Sequence, residues 1–119
     1  MIALLQFCPD AGDAGFQADA EQALRVLAGR PGFVRGTVGR ATDDEGSWLL
    51  LTEWESVGAY RRGLGGYQVK LTATPLLSQA LDRPSAFEQL LSIGPDGQET
   101  ARTSDRAADA DWGGRLAGS

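Results

Sequence analysis

The sequence predicts an α+β fold in which one four-stranded antiparallel sheet carries two helices on a single face. Three observations predict it. Period-2 alternation marks three early stretches and one late one as strands. An apolar stripe at 3.6 spacing marks the segment after the first strand as a helix, and a second helical segment follows the third strand. Glycine, proline and acidic clusters separate these segments where turns are needed. The resulting order, β-α-β-β-α-β, is the split βαβ (ferredoxin-like) arrangement.

Ile2 to Cys8 is the first strand, with Ala3, Leu5 and Phe7 on one face and Ile2, Leu4, Gln6 and Cys8 on the other. Gln6 is the polar member of an otherwise apolar face. It reads either as a solvated strand-end amide or as a ligand contact, and it is carried forward as a candidate substrate-binding residue. Asp13 is a candidate cap for the helix Phe16 to Ala28, whose stripe is Phe16, Ala20, Ala23, Leu24 and Leu27. Gly29 and Pro31-Gly32 end it.

Phe33 to Arg40 is the second strand, with Val34, Gly36 and Val38 alternating against Phe33, Arg35 and Thr37. The acidic turn Thr42 to Gly46 leads into the strand that starts at Trp48. There Trp48, Leu50, Thr52 and Trp54 share a face, and Leu49, Leu51 and Glu53 share the other. Ser56 is placed to cap the next helix, which puts Tyr60 one turn in. Gly63, Gly65 and Gly66 interrupt that helix, and helical geometry is expected again from Tyr67 to Ala73. Thr74-Pro75 reads as a fresh cap and first-turn pair, opening a short helix to Leu81. Ser85 to Ile93 is the last strand, and Gly94-Pro95 closes the domain.

The expected organisation is one domain over residues 1–94 and a flexible acidic tail over 95–119, within which Trp112 is a weak candidate anchor for a partner. The domain carries 11 acidic and 8 basic residues and the tail 5 and 3, so neither part offers the basic stripe that nucleic acid requires. No apolar run reaches membrane-spanning length, and the N-terminus lacks a basic n-region. A cytoplasmic protein is expected. Cys8 has no second cysteine to pair with and reads as a structural thiol. The chain contains neither His nor Asn, which removes imidazole bases, the usual zinc and haem ligand, and His-based triads.

Two indoles and a phenol gather around the Trp48–Tyr60 stretch. Large apolar rings with polar tips suit either a packed core or a pocket for a flat, oxygenated organic molecule. On the pocket reading Trp54 and Tyr60 are the candidate catalytic residues, and Trp48, Leu50, Thr52, Tyr67 and Gln6 the candidate substrate contacts. The Trp54 N–H and the Tyr60 hydroxyl are expected to open on one cavity, with the glycines letting the neighbouring helix bend away. The apolar sheet face opposite the helices, including Leu49, Leu51, Val34 and Val38, needs a cover, and a second copy of the sheet is the simplest one.

The apolar strand running into T-E-W-E-S and Tyr60, the R-P-G-F of Arg30 to Phe33, and the β-α-β-β-α-β order together resemble the antibiotic biosynthesis monooxygenase family of dimeric α/β barrels, over residues 1 to about 94. The resemblance implies a homodimer whose subunits each hold a pocket between sheet and helices. It implies oxidation of phenolic, quinol or anthrone-like aromatics with O2, without metal or bound flavin, and it matches Trp54 and Tyr60 to the family's pocket. Anthrone-oxidising members carry an Asn four residues before the matching Trp, where this chain has Leu50. The haem-degrading branch needs a His and an Asn that this chain lacks. The alternative function is a non-catalytic dimeric barrel that binds a small aromatic molecule or acts as an accessory protein.

Overall fold

A computed structural model of the protein describes residues 1–10 and 14–101. The expected Asp13 cap and Trp112 anchor lie outside them. β1 (Ile2–Phe7), β2 (Phe33–Arg40), β3 (Trp48–Trp54) and β4 (Ala86–Phe87) form one antiparallel sheet in the order β2-β3-β1-β4. Neighbours in that order are not all neighbours in sequence, which is the signature of the split βαβ topology and the fold expected from the alternation pattern.

α1 (Phe16–Ala28) buries Phe16, Ala20, Ala23 and Leu27, and Leu24 packs against the same core. Small residues on this stripe allow close approach. At Gly36 of β2, an added Cβ would stand 2.4 Å from Leu24 Cδ1, so the helix rests on bare backbone. The expected glycine stop is present at Gly29, but in a right-handed conformation. The left-handed position is Gly32 (φ 87°), where an added Cβ would also meet the Ala59 Cβ at 2.5 Å.

β3 follows its pattern. Leu50, Thr52 and Trp54 are buried under the helices, with Leu49, Leu51 and Glu53 half-buried on the open face. The turn before it is closed by Asp44, whose carboxylate accepts from the Gly46 N–H (3.0 Å) and the Ser47 hydroxyl (2.9 Å). The Ser47 bond first, then the Gly46 bond, hold that carboxyl below its ordinary pKa.

β2 departs from simple alternation. Phe33 pairs with Trp54 and Arg35 with Glu53, so Val34 is an extra residue, a β-bulge. Beyond it the faces are exchanged relative to strict period 2. Val38 pairs with Leu50 and packs on the core, which corrects its expected place on the open face. Val34 is exposed (43%) at the bulge. The open face therefore presents Leu4, Leu49, Leu51, Phe87 and the Arg35–Glu53 ion pair (3.1 Å).

α2 (Val57–Gly63) starts where expected: the Ser56 hydroxyl accepts from the Ala59 N–H (3.0 Å). After a turn through Gly65 and Gly66 helical geometry resumes at Tyr67, as expected, and continues through a π-helical turn (Val69–Ala73) that runs directly into α3 (Thr74–Leu77). Thr74 is itself helical (φ −55°, ψ −42°) and caps nothing, because a capping residue needs extended backbone. The helix ends at Leu77, short of Leu81, and turns follow. Lys70 on the π-helical turn is exposed.

The expected last strand is divided. Only Ala86–Phe87 joins the main sheet, opposite Ile2 and Ala3. Leu91–Ile93 (β5) instead pairs with Glu99–Ala101 (β6) in a separate hairpin, turned at Gly97 (φ 81°). No helix among the described residues is long and apolar enough to cross a membrane.

Candidate functional site

The corner between β3 and α2 is built on Trp54. Its backbone N–H donates to the Met1 carbonyl (2.8 Å), extending the β1–β3 ladder. Its side chain is fully buried, and its indole N–H donates to the Thr52 hydroxyl at 2.9 Å. Residues two apart on a strand share a face, and an indole is long enough to reach back to its i−2 neighbour. This answers the polar demand of both buried groups. It also corrects the expectation that the Trp54 N–H opens on a cavity: that donor has an intrachain acceptor.

Three residues from two elements, β2 and α2, pack on the indole. Phe33 meets it edge-on (5.4 Å between centroids, 90°) and Tyr60 meets it at 5.7 Å and 60°. Gly63 lies flat on the ring, where an added Cβ would stand 2.7 Å from two ring carbons. Gly63 is thus a point of close contact and not a place where α2 bends away.

The R-P-G-F segment ties the same corner from outside. Arg30 donates through Nε to the Gly63 carbonyl and through Nη2 to the Arg62 carbonyl, 3.2 Å each, at the C-terminal end of α2. A guanidinium there satisfies orphan carbonyls and suits the helix dipole. The Gly32 carbonyl accepts from the Glu55 N–H (2.9 Å), and Phe33 is the ring against Trp54. Sequence reasoning named this motif but gave Arg30 and Phe33 no part in the site. Aromatic and guanidinium residues flanking a glycine turn, close in sequence to the end of a strand, were the signal available.

Tyr60 is half-buried in the corner, and among the described residues its hydroxyl has no hydrogen-bond partner. Burial raises its pKa above the ordinary phenol value of 10.0, so it is neutral and a donor at neutral pH. Leu50 and Thr52 lie beneath the helices on the same strand face as Trp54.

The other candidates lie elsewhere. Trp48 is at the far end of β3, roughly 20 Å along the strand from Trp54. It packs on Phe16 (5.3 Å), with the Arg40 guanidinium 4.9 Å from its ring. Gln6 is on the opposite sheet face, paired across from Leu49, and its side-chain oxygen accepts from Arg83 Nη1 (3.0 Å). Tyr67 is 74% exposed and lines a groove of about 500 Å³ together with Arg25, Arg30 and Gly66. Glu53 is held by Arg35 on the open face, away from the corner. Cys8 is exposed just beyond β1.

Comparison with known proteins bears on this geometry. A family model described as antibiotic biosynthesis monooxygenase matches residues 1–68. Among solved structures, SnoaB from Streptomyces nogalater, a cofactor-independent oxygenase, is 26% identical and superposes with a TM-score of 0.59 over 67% of this chain and 82% of that chain. A protein from Deinococcus radiodurans shares 17% identity and a TM-score of 0.65, covering 78% of this chain and 95% of that one. One from Methanosarcina mazei shares 16% identity and a TM-score of 0.59, covering 71% and 84%. The last two speak to the fold. Comparison with curated proteins finds no match.

Proposed function

The chain belongs to the antibiotic biosynthesis monooxygenase family, and from that premise we propose that it is a cofactor-independent monooxygenase acting with O2 on a phenolic, quinol or anthrone-like aromatic. The likeness to SnoaB supports the reaction type. The observation that carries the reading on this chain is Tyr60: a half-buried, neutral phenol, held edge-on against a buried indole, with its hydroxyl uncommitted among the described residues.

The chemistry asks little of the protein. A deprotonated phenol or anthrone is itself the reductant of O2. In an anthrone-type reaction one oxygen atom becomes the new carbonyl and the other leaves as water, with the two hydrogens the carbon loses. The protein binds the substrate, favours its anion and excludes water. On this reading the Tyr60 O–H donates to the anionic oxygen. Trp54, locked by Thr52 and by Gly63, fixes where Tyr60 stands.

The test is oxygen uptake on a set of anthrones and quinols without added flavin or metal, with Tyr60→Phe as the variant. Loss of a charge-assisted bond of about 1.5–3 kcal/mol should lower turnover or affinity roughly tenfold to a hundredfold, with the melting temperature unchanged. Unchanged turnover and affinity would reduce Tyr60 to a packing residue. A second reading, a non-catalytic barrel that holds a small aromatic, is favoured by Leu50 and by the closed Trp54–Thr52 pair. It predicts binding of such aromatics with no oxygen consumed.

The same reading includes a homodimer. The open sheet face carries Leu4, Leu49, Leu51 and Phe87, a contiguous apolar strip on one side of β3, β1 and β4. A second sheet is the cover that fits a flat, strand-lined face.

A further inference from the structure

A groove lined by neither Trp54 nor Tyr60 is a separate place from their corner, and nothing in the proposed oxidation uses it. It lies between the end of α1 and the turn before the π-helical segment, and its volume of about 500 Å³ is that of a small-ligand site. We infer that it binds a small aromatic carboxylate. The inference does not depend on the chain being an oxygenase.

Two guanidinium groups line the groove, those of Arg25 and Arg30, and none of the residues lining it is acidic. In a chain of net charge −5 this is a local reversal of sign. Arg30 is held in place: Nε and Nη2 are tied to the Gly63 and Arg62 carbonyls. Nη1 lies over Gly66, where an added Cβ would stand 2.9 Å away. An anchored guanidinium is a pre-organised donor, since little conformational freedom is left to lose on binding an oxyanion. Arg25 makes only a solvated pair with Glu21 (3.6 Å), which can be exchanged for a ligand at small cost.

The remaining walls favour a ring. Tyr67, at 74% exposure, presents most of its ring to solvent. An exposed phenol ring next to two arginines is a stacking platform for a planar apolar body. Val26 and Val69 supply apolar lining. A compact molecule with a ring for Tyr67 and a carboxylate for the two arginines meets all of these features. A naked phosphate would leave the ring unused, and a neutral aromatic would leave the charges unused.

The experiment is a titration of the full-length ¹⁵N-labelled chain with 2-naphthoate, with 2-naphthamide and inorganic phosphate as controls, followed by NMR. Saturable shifts of the Arg30 side-chain N–H and the backbone amides of Gly66 to Val69, at roughly millimolar naphthoate or below, are expected. Tyr67→Ala should weaken binding roughly twofold to tenfold. Arg25→Ala should weaken it a few-fold, an effect that fades in high salt. Both side chains are exposed, so neither variant tests folding. Equal binding of the amide would overturn recognition of the anion, and equal binding of phosphate would overturn the role of Tyr67. Shifts centred on Tyr60, or no saturation, would remove the site.

Discussion

At the scale of single residues, the decisive contacts are those that close the space around Trp54. Period-2 spacing placed Trp48, Leu50, Thr52 and Trp54 on one face, and burial of Leu50, Thr52 and Trp54 under the helices agrees. It could not show that the indole N–H would be spent on Thr52, because that depends on a rotamer and not on spacing. Nor could it show that Gly63 is pressed against the ring, since a glycine in a helix reads simply as a helix weakener. Gly63→Ala tests this. The new methyl would sit 2.7 Å from two ring carbons of a side chain with no exposed surface and three packed neighbours. Overpacking of this kind should lower stability by about 1–3 kcal/mol, read as a reduced urea midpoint and a changed near-ultraviolet Trp signal.

At the scale of elements, legibility tracked the strength of the local signal. The bounds of α1 and β2, and the start of α2, were readable because each has a stripe, an alternation or a cap of its own. Ser56→Ala should cost about 1 kcal/mol by removing the acceptor for the Ala59 N–H; chemical denaturation checks it, and Ser56→Asp should restore most of the loss. Residues 64–77 were less readable. The glycines thin the pattern, and the π-helical turn accommodates its extra residue without any sequence mark, so that the chain enters α3 already helical and Thr74 has no end to cap. The late strand split for a tertiary reason. Ala86 and Phe87 find a partner in β1, whereas Leu91 to Ile93 find theirs beyond Gly97, and periodicity is blind to which partner a strand takes.

At the scale of the whole molecule, the split βαβ order was legible because connection lengths and handedness leave few alternatives once the elements are known. It leaves one sheet face under helices and one open. A homodimer joined through the open face should scatter light with about twice the 12.6 kDa chain mass at micromolar concentration, and Leu49→Lys with Leu51→Lys should shift it toward the monomer. A monomer in the unaltered protein would contradict that assembly. The bulge in β2 has a consequence for inheritance. Because Val34 alone lacks a partner position in the register, Phe33 and Arg35 would stand opposite Trp54 and Glu53 just as well if they were adjacent. A one-codon deletion anywhere from Gly36 to Gly39 would turn part of the strand over and bury what now meets water. At codon 34 the same deletion heals the ladder. The second strand therefore has, at its bulge, a stretch where a gene can lose three bases and keep its faces.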